Sequence, residues 1–538
     1  MKLQRSISSF GLLCASVGCM VGSGWLFGAY YAAQITGPAA ILSWLLGGGL
    51  IIFIALTFSE LSSMLPLAGG IARYSHFTHG PMVSFCMSWL AWLSCVAVAP
   101  TEVQAILQYG STYAPGLMHK VGGLPVLTLT GYVVATLLML VISWCNMMGV
   151  KLLTRLNSFM TLWKLLIPIV TIIIIAHVKF STHNFVSHHF APHGLHGILW
   201  ALPTAGIVFS FLGFREATSL AGEAKLPGKG IPLAVIGSVL ICTLLYVLVQ
   251  VVFIGAVPAS ALVHGGWSHL SFSGDMGPFA GIATSLGLGF LVLLIYVDAQ
   301  VSPFGTAFIY TATTSRLNYA MSVNRYTPQA MLKLNKKGVP ALAIMINFIV
   351  GMMLFLPLPT WQALVGFQST AIVLAYGVGP IALLVLRRDA PNLERPFKLP
   401  ASRVFCAITF TVCNLIAYWT GWETIWRLML SIAFGLVFFV IYRAYMRQKC
   451  FSAWRSTWWL LPYFGGLTLI SYLGNFGGGL GVLSFGWDFL VIALFSVGTL
   501  WLACHHSLHV STLNTLLNDD KEVDYQVEPQ TYYEGVKI

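Results

Sequence analysis

Between residues 8 and 33 the chain reads SSFGLLCASVGCMVGSGWLFGAYYAA, apolar for long enough to cross a bilayer yet interrupted at its middle by Gly22-Ser23-Gly24. A membrane-spanning helix needs about 20 apolar residues, and the lipid core offers no partner to a backbone N–H or C=O released from the helix. An interruption of this kind persists where it lines a cavity or holds a ligand. The segment predicts a broken span with a polar small molecule at the break.

Apolar stretches of similar length recur along the whole chain, of which 57% is hydrophobic and 8% charged, so the fold class is an all-α polytopic membrane protein. The short alternating segments of a membrane β-barrel are missing. We count about 14 transmembrane helices, numbered here as spans 1 to 14: 8–33, 38–63, 81–107, 124–147, 156–178, 197–221, 233–256, 279–313, 338–358, 363–386, 402–422, 425–446, 457–475 and 484–504. The charged start followed by an apolar run resembles a signal peptide, but no small-residue cleavage site follows, and we read it as uncleaved. The ten cysteines lie in or beside apolar spans without a repeated C-x-x-C spacing, which fits buried thiols rather than disulfides or zinc.

The net charge of +12 is distributed by topology. Even-numbered turns carry Arg73, Lys225, Lys229, Arg387, Arg388, Arg395, Lys398, Arg443, Arg447, Lys449 and Arg455, while odd-numbered turns are almost bare. This asymmetry predicts a multi-pass protein of the cell's inner (plasma) membrane with both termini cytoplasmic, its basic residues facing lipid headgroups and not nucleic acid. Six histidines, His177, His183, His188, His189, His193 and His196, crowd the turn between spans 5 and 6. No carboxylate or thiol joins them, so a solvated loop is preferred over a metal site or a pH sensor. The acidic sequence after Val510 reads as a mobile cytoplasmic tail.

Span 6 holds a second interruption, expected at Phe209-Ser210-Phe211-Leu212-Gly213 in mid-membrane and followed by Arg215 and Glu216. Breaks in corresponding spans of two halves point to an inverted-repeat transporter whose site lies at the repeat interface. Half-helix N-termini offer N–H groups to a carboxylate, and half-helix C-termini offer carbonyls to an ammonium. Together those ends match an α-amino acid.

Five fragments in order, GCMVGSGWLFG at 18–28, the stretch from Gly37 to Tyr74, FSFLGFREATSLAGEAKLPGKGIP at 209–232, TSRLNYAM at 314–321 and RRDAPNLERPFKLP at 387–400, resemble the amino acid, polyamine and organocation transporter superfamily. The resemblance covers roughly residues 8 to 450 and implies a leucine-transporter-like 5+5 inverted repeat with broken spans 1 and 6. On that scheme residues 1–390 form the core, with repeats at about 8–178 and 197–386. Spans 11 and 12 fall in 391–450, two additional spans in 451–504 and the tail in 505–538. It also implies that Val21, Gly22, Ser23 and Gly24 hold the substrate carboxylate. Phe209, Ser210 and Phe211 would hold the amino group and cover the substrate, with Gly213 in the same segment. Close helix packing for the glycines and plain apolar filling for the phenylalanines are the alternative readings.

Span 5 aligns Asn157, Thr161 and Lys164 on one face. A lysine there costs about 2.5–3.5 kcal/mol on insertion scales and is by default functional. In proton-coupled members of the resembled superfamily a span 5 lysine approaches the span 1 break where sodium-coupled relatives hold their ion, and Lys164 matches it. Span 8 aligns Asp298, Ser302, Gly305 and Thr306. Ser302 and Thr306 match the hydroxyls of the sodium site, and with a lysine available to fill that place we expect protons rather than sodium. Asp298 reads either as a second proton carrier or as a counter-charge.

Arg215 departs from the common pattern. A guanidinium there suits an acidic cargo and resembles proton-coupled aspartate transporters; a structural pair with Glu216 or Asp298 is the competing reading. Glu102, near the outer end of span 3, reads as a snorkelling carboxylate or a gating residue. Glu60 and Glu223 are expected to pair with Arg73, Lys225 or helix amides, as parts of an inner gate. No phosphate-binding loop, H-E-x-x-H or G-x-S-x-G is present, so neither ATP-driven transport nor an enzyme is indicated, and no cofactor or metal is implied. The expected function is proton-coupled uptake of a small amino acid, aspartate or glutamate first. An exchanger of neutral amino acids or polyamines, and a transport-inactive amino acid sensor, are the alternatives; oligomeric state is not legible.

Overall fold

The structure, a computed structural model, describes residues 7–517 other than 68–69, 149, 263–264, 273–276, 448–453 and 514, and the backbone alone at 72 and 150–159. Span 1 is two helices, 1a (Ser9–Met20) and 1b (Ser23–Thr36), separated by the extended residues Val21 and Gly22. Span 6 is likewise split into 6a (Gly194–Thr204) and 6b (Ile207–Ser219), bent by 50°. The intervening helices are Ala40–Met64, Pro81–Gly110, Leu129–Met147 and Val150–Val178 for spans 2 to 5. Pro227–Ala256, Gly289–Val323 and Ala341–Leu354 form spans 7 to 9, and Trp361–Tyr376 continues through Val378–Asp389 as span 10.

Helix pairing carries the repeat. Span 1a packs on the second half of span 6, span 2 on span 7, span 3 on span 8 and span 4 on span 9. Spans 1 to 4 thus each meet the one five places later, as two inverted five-helix units would, whereas span 5 packs on spans 1a, 7 and 8. Span 10 also lies along span 3, which places the start of span 10 beside the breaks.

The count of fourteen spans is not confirmed. Among the described residues ten helices are long and apolar enough to cross a membrane, or eleven with the bent span 6. The short turn Gly37–Ala39 joins 1b and span 2 into one run, Ser23–Met64, and Ser9–Met20 and Ala341–Leu354 are shorter than a full crossing. Two boundaries also differ from expectation. Residues 124–127 pair as a β-hairpin, Met118–Val121 with Leu124–Leu127, because Gly122 and Gly123 both take the positive φ (58° and 82°) of a two-residue hairpin turn. Span 4 therefore starts at Leu129, where the Thr128 hydroxyl accepts from the Gly131 N–H. The first residues assigned to span 8 form a separate short helix, Pro278–Ser285.

Span 11 (Ser402–Trp419) packs on spans 10 and 2, span 12 (Trp422–Tyr445) on spans 3 and 10, and span 14 (Trp487–His505) on span 11 and the end of span 10. Helix Leu460–Leu473 fills the place of span 13. Past span 14 the tail is more ordered than expected as far as residue 517. Residues 511–513 and 515–517 are helical, Leu513 and Leu517 are buried, and the Leu508 N–H donates to the Thr78 carbonyl at 2.8 Å. Apolar side chains at 513 and 517, one helical turn apart, explain that docking. The acidic remainder, 518–538, lies outside the described residues.

The dock for the tail is the short helix Ile71–His79 between spans 2 and 3. His79 is its pivot. Its Nε2 faces the Ala503 carbonyl at 3.0 Å, its Nδ1 faces Thr78 Oγ1 at 2.9 Å, its ring meets Trp459, and its carbonyl accepts from Ser456 Oγ. Burial pushes His79 down to about 4, and burial together with Arg73 and Arg443 does the same to His76. Glu60 differs from expectation. Its carboxylate takes a forked pair of bonds from Arg387, 2.8 Å from Nε and 2.6 Å from Nη2, and a third from the Leu399 N–H at 2.7 Å. Span 2 is thereby tied to span 10 and to the loop after it, because only arginine's planar fork satisfies both oxygens at once.

Candidate functional site

The span 1 break is Val21-Gly22, so the helical N–H groups resume at Ser23. Gly22 adopts φ −138° and ψ −142° with no side-chain cap, leaving the 1b terminus open to an outside acceptor. That acceptor is Glu102 of span 3: its Oε2 takes the Ser23 N–H at 3.0 Å. Its Oε1 is buried without a partner and lies 2.7 Å from where a Cβ on Gly22 would stand, as does Thr306 Oγ1. A glycine is required there by close approach, not by turn geometry.

The span 6 break falls at Ala205-Gly206, earlier than expected, where Gly206 takes φ +87°. The segment read as the interruption is a helical turn, Ile207–Phe211, followed by a tight turn at Leu212–Phe214. Gly206 supplies the left-handed conformation that none of the residues from Phe209 to Phe211 would adopt cheaply. Ser210 nevertheless reaches the site. Its Oγ donates to the Gly206 carbonyl at 2.7 Å and is the atom nearest to a Cβ added at Gly24. Phe209 stands edge-on to Trp361, whereas Phe211 is packed away between Trp44 and Tyr246. Gly213 lets span 6 touch the last turn of 1a: a Cβ there would meet Met20 N at 2.6 Å. The Met20 carbonyl, at the 1a C-terminus, accepts from Tyr246 OH of span 7 at 2.8 Å.

Lys164 is fully buried, and its Nζ donates to Thr306 Oγ1 at 2.6 Å and to the Gly18 carbonyl at 3.3 Å. Of its expected stripe, Thr161 lies against Gly18, while the side chain of Asn157 is outside the described residues. Ser302 and Thr306 part company: Ser302 donates to Asp298 Oδ1 and Thr306 serves the lysine. Asp298 also accepts from the Trp25 indole at 3.0 Å, so it braces 1b against span 8.

Arg215 faces Cys95, with Nη2 2.9 Å from Sγ, and covers the Tyr310 ring at 5.1 Å. Glu216 Oε1 lies 4.0 Å from Nε, so of the two structural pairs expected for it the pair with Glu216 is present. Tyr310 packs with Cys19, and Gly213 abuts Cys19 and Met20, so Arg215 lies close behind the end of helix 1a with its guanidinium turned to Cys95 and Tyr310. Of the loop histidines, His193 binds the Ile35 carbonyl at 2.8 Å, and His196 stacks on Phe476 at 4.3 Å. Among the described residues no group of three or more His, Cys, Asp or Glu side chains is arranged to hold a metal.

Sequence reading underrated Glu102 and missed Trp361 and Tyr246. Glu102 was marked by its charge inside an apolar span. Trp361 carried no such mark, since a tryptophan at a span end reads as an interfacial anchor.

The chain matches the amino acid permease family over residues 7–467. It is 40% identical over 534 residues to the glutamate/serine transporter AimA of Bacillus subtilis, covering 98% of this chain and 97% of that one. With the aspartate-proton symporter of the same organism it shares 35% over 520 residues, covering 94% and 97%. The branched-chain amino acid permease BcaP is 26% identical over 452 residues, covering 82% and 93%. With two broken spans, paired repeats and a match across most of its length, this chain belongs to the amino acid permease family, whose members are multi-pass membrane transporters and not enzymes.

Proposed function

We propose that this permease is a proton-coupled symporter that brings a small amino acid into the cell across the inner membrane, with both termini in the cytoplasm. Residues 1–390 carry transport, and the later spans support them. The observation that carries the reading is Lys164, whose ammonium bonds the Gly18 carbonyl of span 1a and the Thr306 hydroxyl of span 8. When Lys164 is charged these bonds hold 1a against span 8; when it gives up its proton they weaken and the broken helix is free to move. The N-terminus of 1b receives the substrate carboxylate, at the Ser23 N–H that Glu102 Oε2 accepts from. A substrate carboxylate must displace Glu102 from the Ser23 N–H.

Aspartate or glutamate is the first choice of cargo, supported by the names of the two most similar relatives described above. Arg215, whose guanidinium is already engaged by Cys95, Tyr310 and Glu216, favours a second reading. On it a small neutral amino acid such as serine sits at the breaks, among Ser23, Gly24 and Ser210. Uptake of labelled aspartate, glutamate, serine and leucine into proteoliposomes, with and without an imposed pH difference, tests the proposal. Symport predicts uptake into empty vesicles that rises with an inward proton gradient. Uptake that needs amino acid inside marks an exchanger, binding without uptake marks a sensor, and dependence on a sodium gradient alone excludes the proton.

A further inference from the structure

Trp361, the first residue of the span 10 helix, is buried and touches both breaks. Its Nε1–H donates to Ser23 Oγ at 3.0 Å, and Cη2 of the same indole lies 2.5 Å from the place of a Cβ on Gly206. The ring stacks on Tyr31 at 5.5 Å between centroids, and Phe27 and Phe209 close its sides at 5.4 and 6.0 Å. Its position is set from outside the broken spans. Thr360 caps the helix through the Ala363 N–H, and Gln104 of span 3 donates to the Pro359 carbonyl at 3.1 Å.

From this geometry we propose that Trp361 is the specificity-determining roof of the amino acid site, limiting the size of the substrate side chain and releasing Ser23 when the site opens. The proposal rests on the reading of the two breaks as that site. Ser23 and Gly206 belong to the broken spans, whereas Trp361 belongs to a helix packed along span 3. Rocking of one group of helices against the other must break the indole to hydroxyl bond. The freed Ser23 hydroxyl is then able to donate to a substrate carboxylate, while the indole plane bounds the space above Gly206. A glycine at 206 leaves the ring in direct contact with backbone, so little room remains for a large side chain while the indole is in place.

The test compares Trp361→Phe and Trp361→Ala with the unaltered protein in proteoliposomes, reading kcat/KM for serine and for phenylalanine. The ratio is the readout, because a loss of packing lowers both substrates alike. Trp361→Ala is expected to raise the phenylalanine to serine ratio at least about tenfold, the scale on which a pocket discriminates by volume. Trp361→Phe keeps a ring and is expected to leave the ratio within about twofold. Where a variant binds without turnover, the ratio is read from displacement of labelled serine in detergent, and Trp361→Leu replaces the alanine variant if that one fails to fold. An unchanged ratio in the alanine or leucine variant overturns the proposal while leaving the transporter reading intact. Failure of the unaltered protein to bind or move any amino acid overturns both.

Discussion

Lys164 of span 5 and Thr306 of span 8 are joined by a 2.6 Å hydrogen bond beside Gly22, and the same ammonium reaches back to the Gly18 carbonyl. Three spans from both repeats are therefore held by one titratable side chain. On the proposed reading, loss of its proton removes the charge that makes both bonds strong and so acts on the position of helix 1a.

Gly24 and Ser210 face each other across the two breaks, and the nearest atom to a Cβ at Gly24 is the Ser210 hydroxyl oxygen. Gly24→Ala is expected to lower uptake at least about tenfold by forcing the breaks apart, an effect of the size seen when site geometry shifts by an ångström. Adding Ser210→Ala removes the clashing atom and is expected to restore a large part of it. Uptake and substrate-induced thermal stabilisation measured on the two variants check this; a double variant no better than Gly24→Ala would contradict it.

Glu60 is fully buried and its forked bonds to Arg387 lock span 2 to span 10. Removing one member of such a pair costs about 3–5 kcal/mol because it strands the other. Arg387→Met is expected to lower the melting temperature in detergent sharply, and Glu60→Gln added to it to recover about half of the loss, as coupled neighbours do. Additive losses in the double variant would show that the pair contributes nothing as a pair.

His79 holds the dock for the residues after span 14 and is neutral in the fold, with its titration moved from 6.5 to about 4. Between those values the unfolded or undocked chain binds the proton that the docked one refuses. Stability is thus fully present above about 6.5 and declines as pH falls toward 4, by about 1.4 kcal/mol per unit. Amide exchange at Leu508 is expected to speed up between pH 7 and 5 after correction for intrinsic rates, and less so in His79→Gln. Identical acid responses of the two proteins would refute the assignment.

How far the sequence reached depended on whether a residue's meaning was local. The span 1 break was readable, because glycine and serine inside an apolar run leave few other interpretations, but it falls at Val21-Gly22 rather than at Gly22-Ser23-Gly24, since helix 1b already begins at Ser23. The span 6 break was placed a turn too late, because the polar residues from Ser210 to Arg215 drew attention from Gly206, whose left-handed backbone makes the bend. Lys164 and Thr306 were both marked as members of one ion-like place, and they meet. Glu102 and Trp361 matter through contacts with Ser23 that are distant in sequence, and neither carries a periodicity or motif that announces such a partner. The docked residues after span 14 were hidden by the acidic composition that follows them.

The central claim is that Lys164 couples the proton to movement of the amino acid. Proton entry during uptake, followed with a pH-sensitive dye trapped in proteoliposomes, tests it directly with Lys164→Met beside the unaltered protein. Substrate added outside is expected to acidify the lumen of vesicles carrying the unaltered protein, and to leave the pH unchanged with Lys164→Met although the variant still binds substrate. Equal acidification by both proteins would contradict the account.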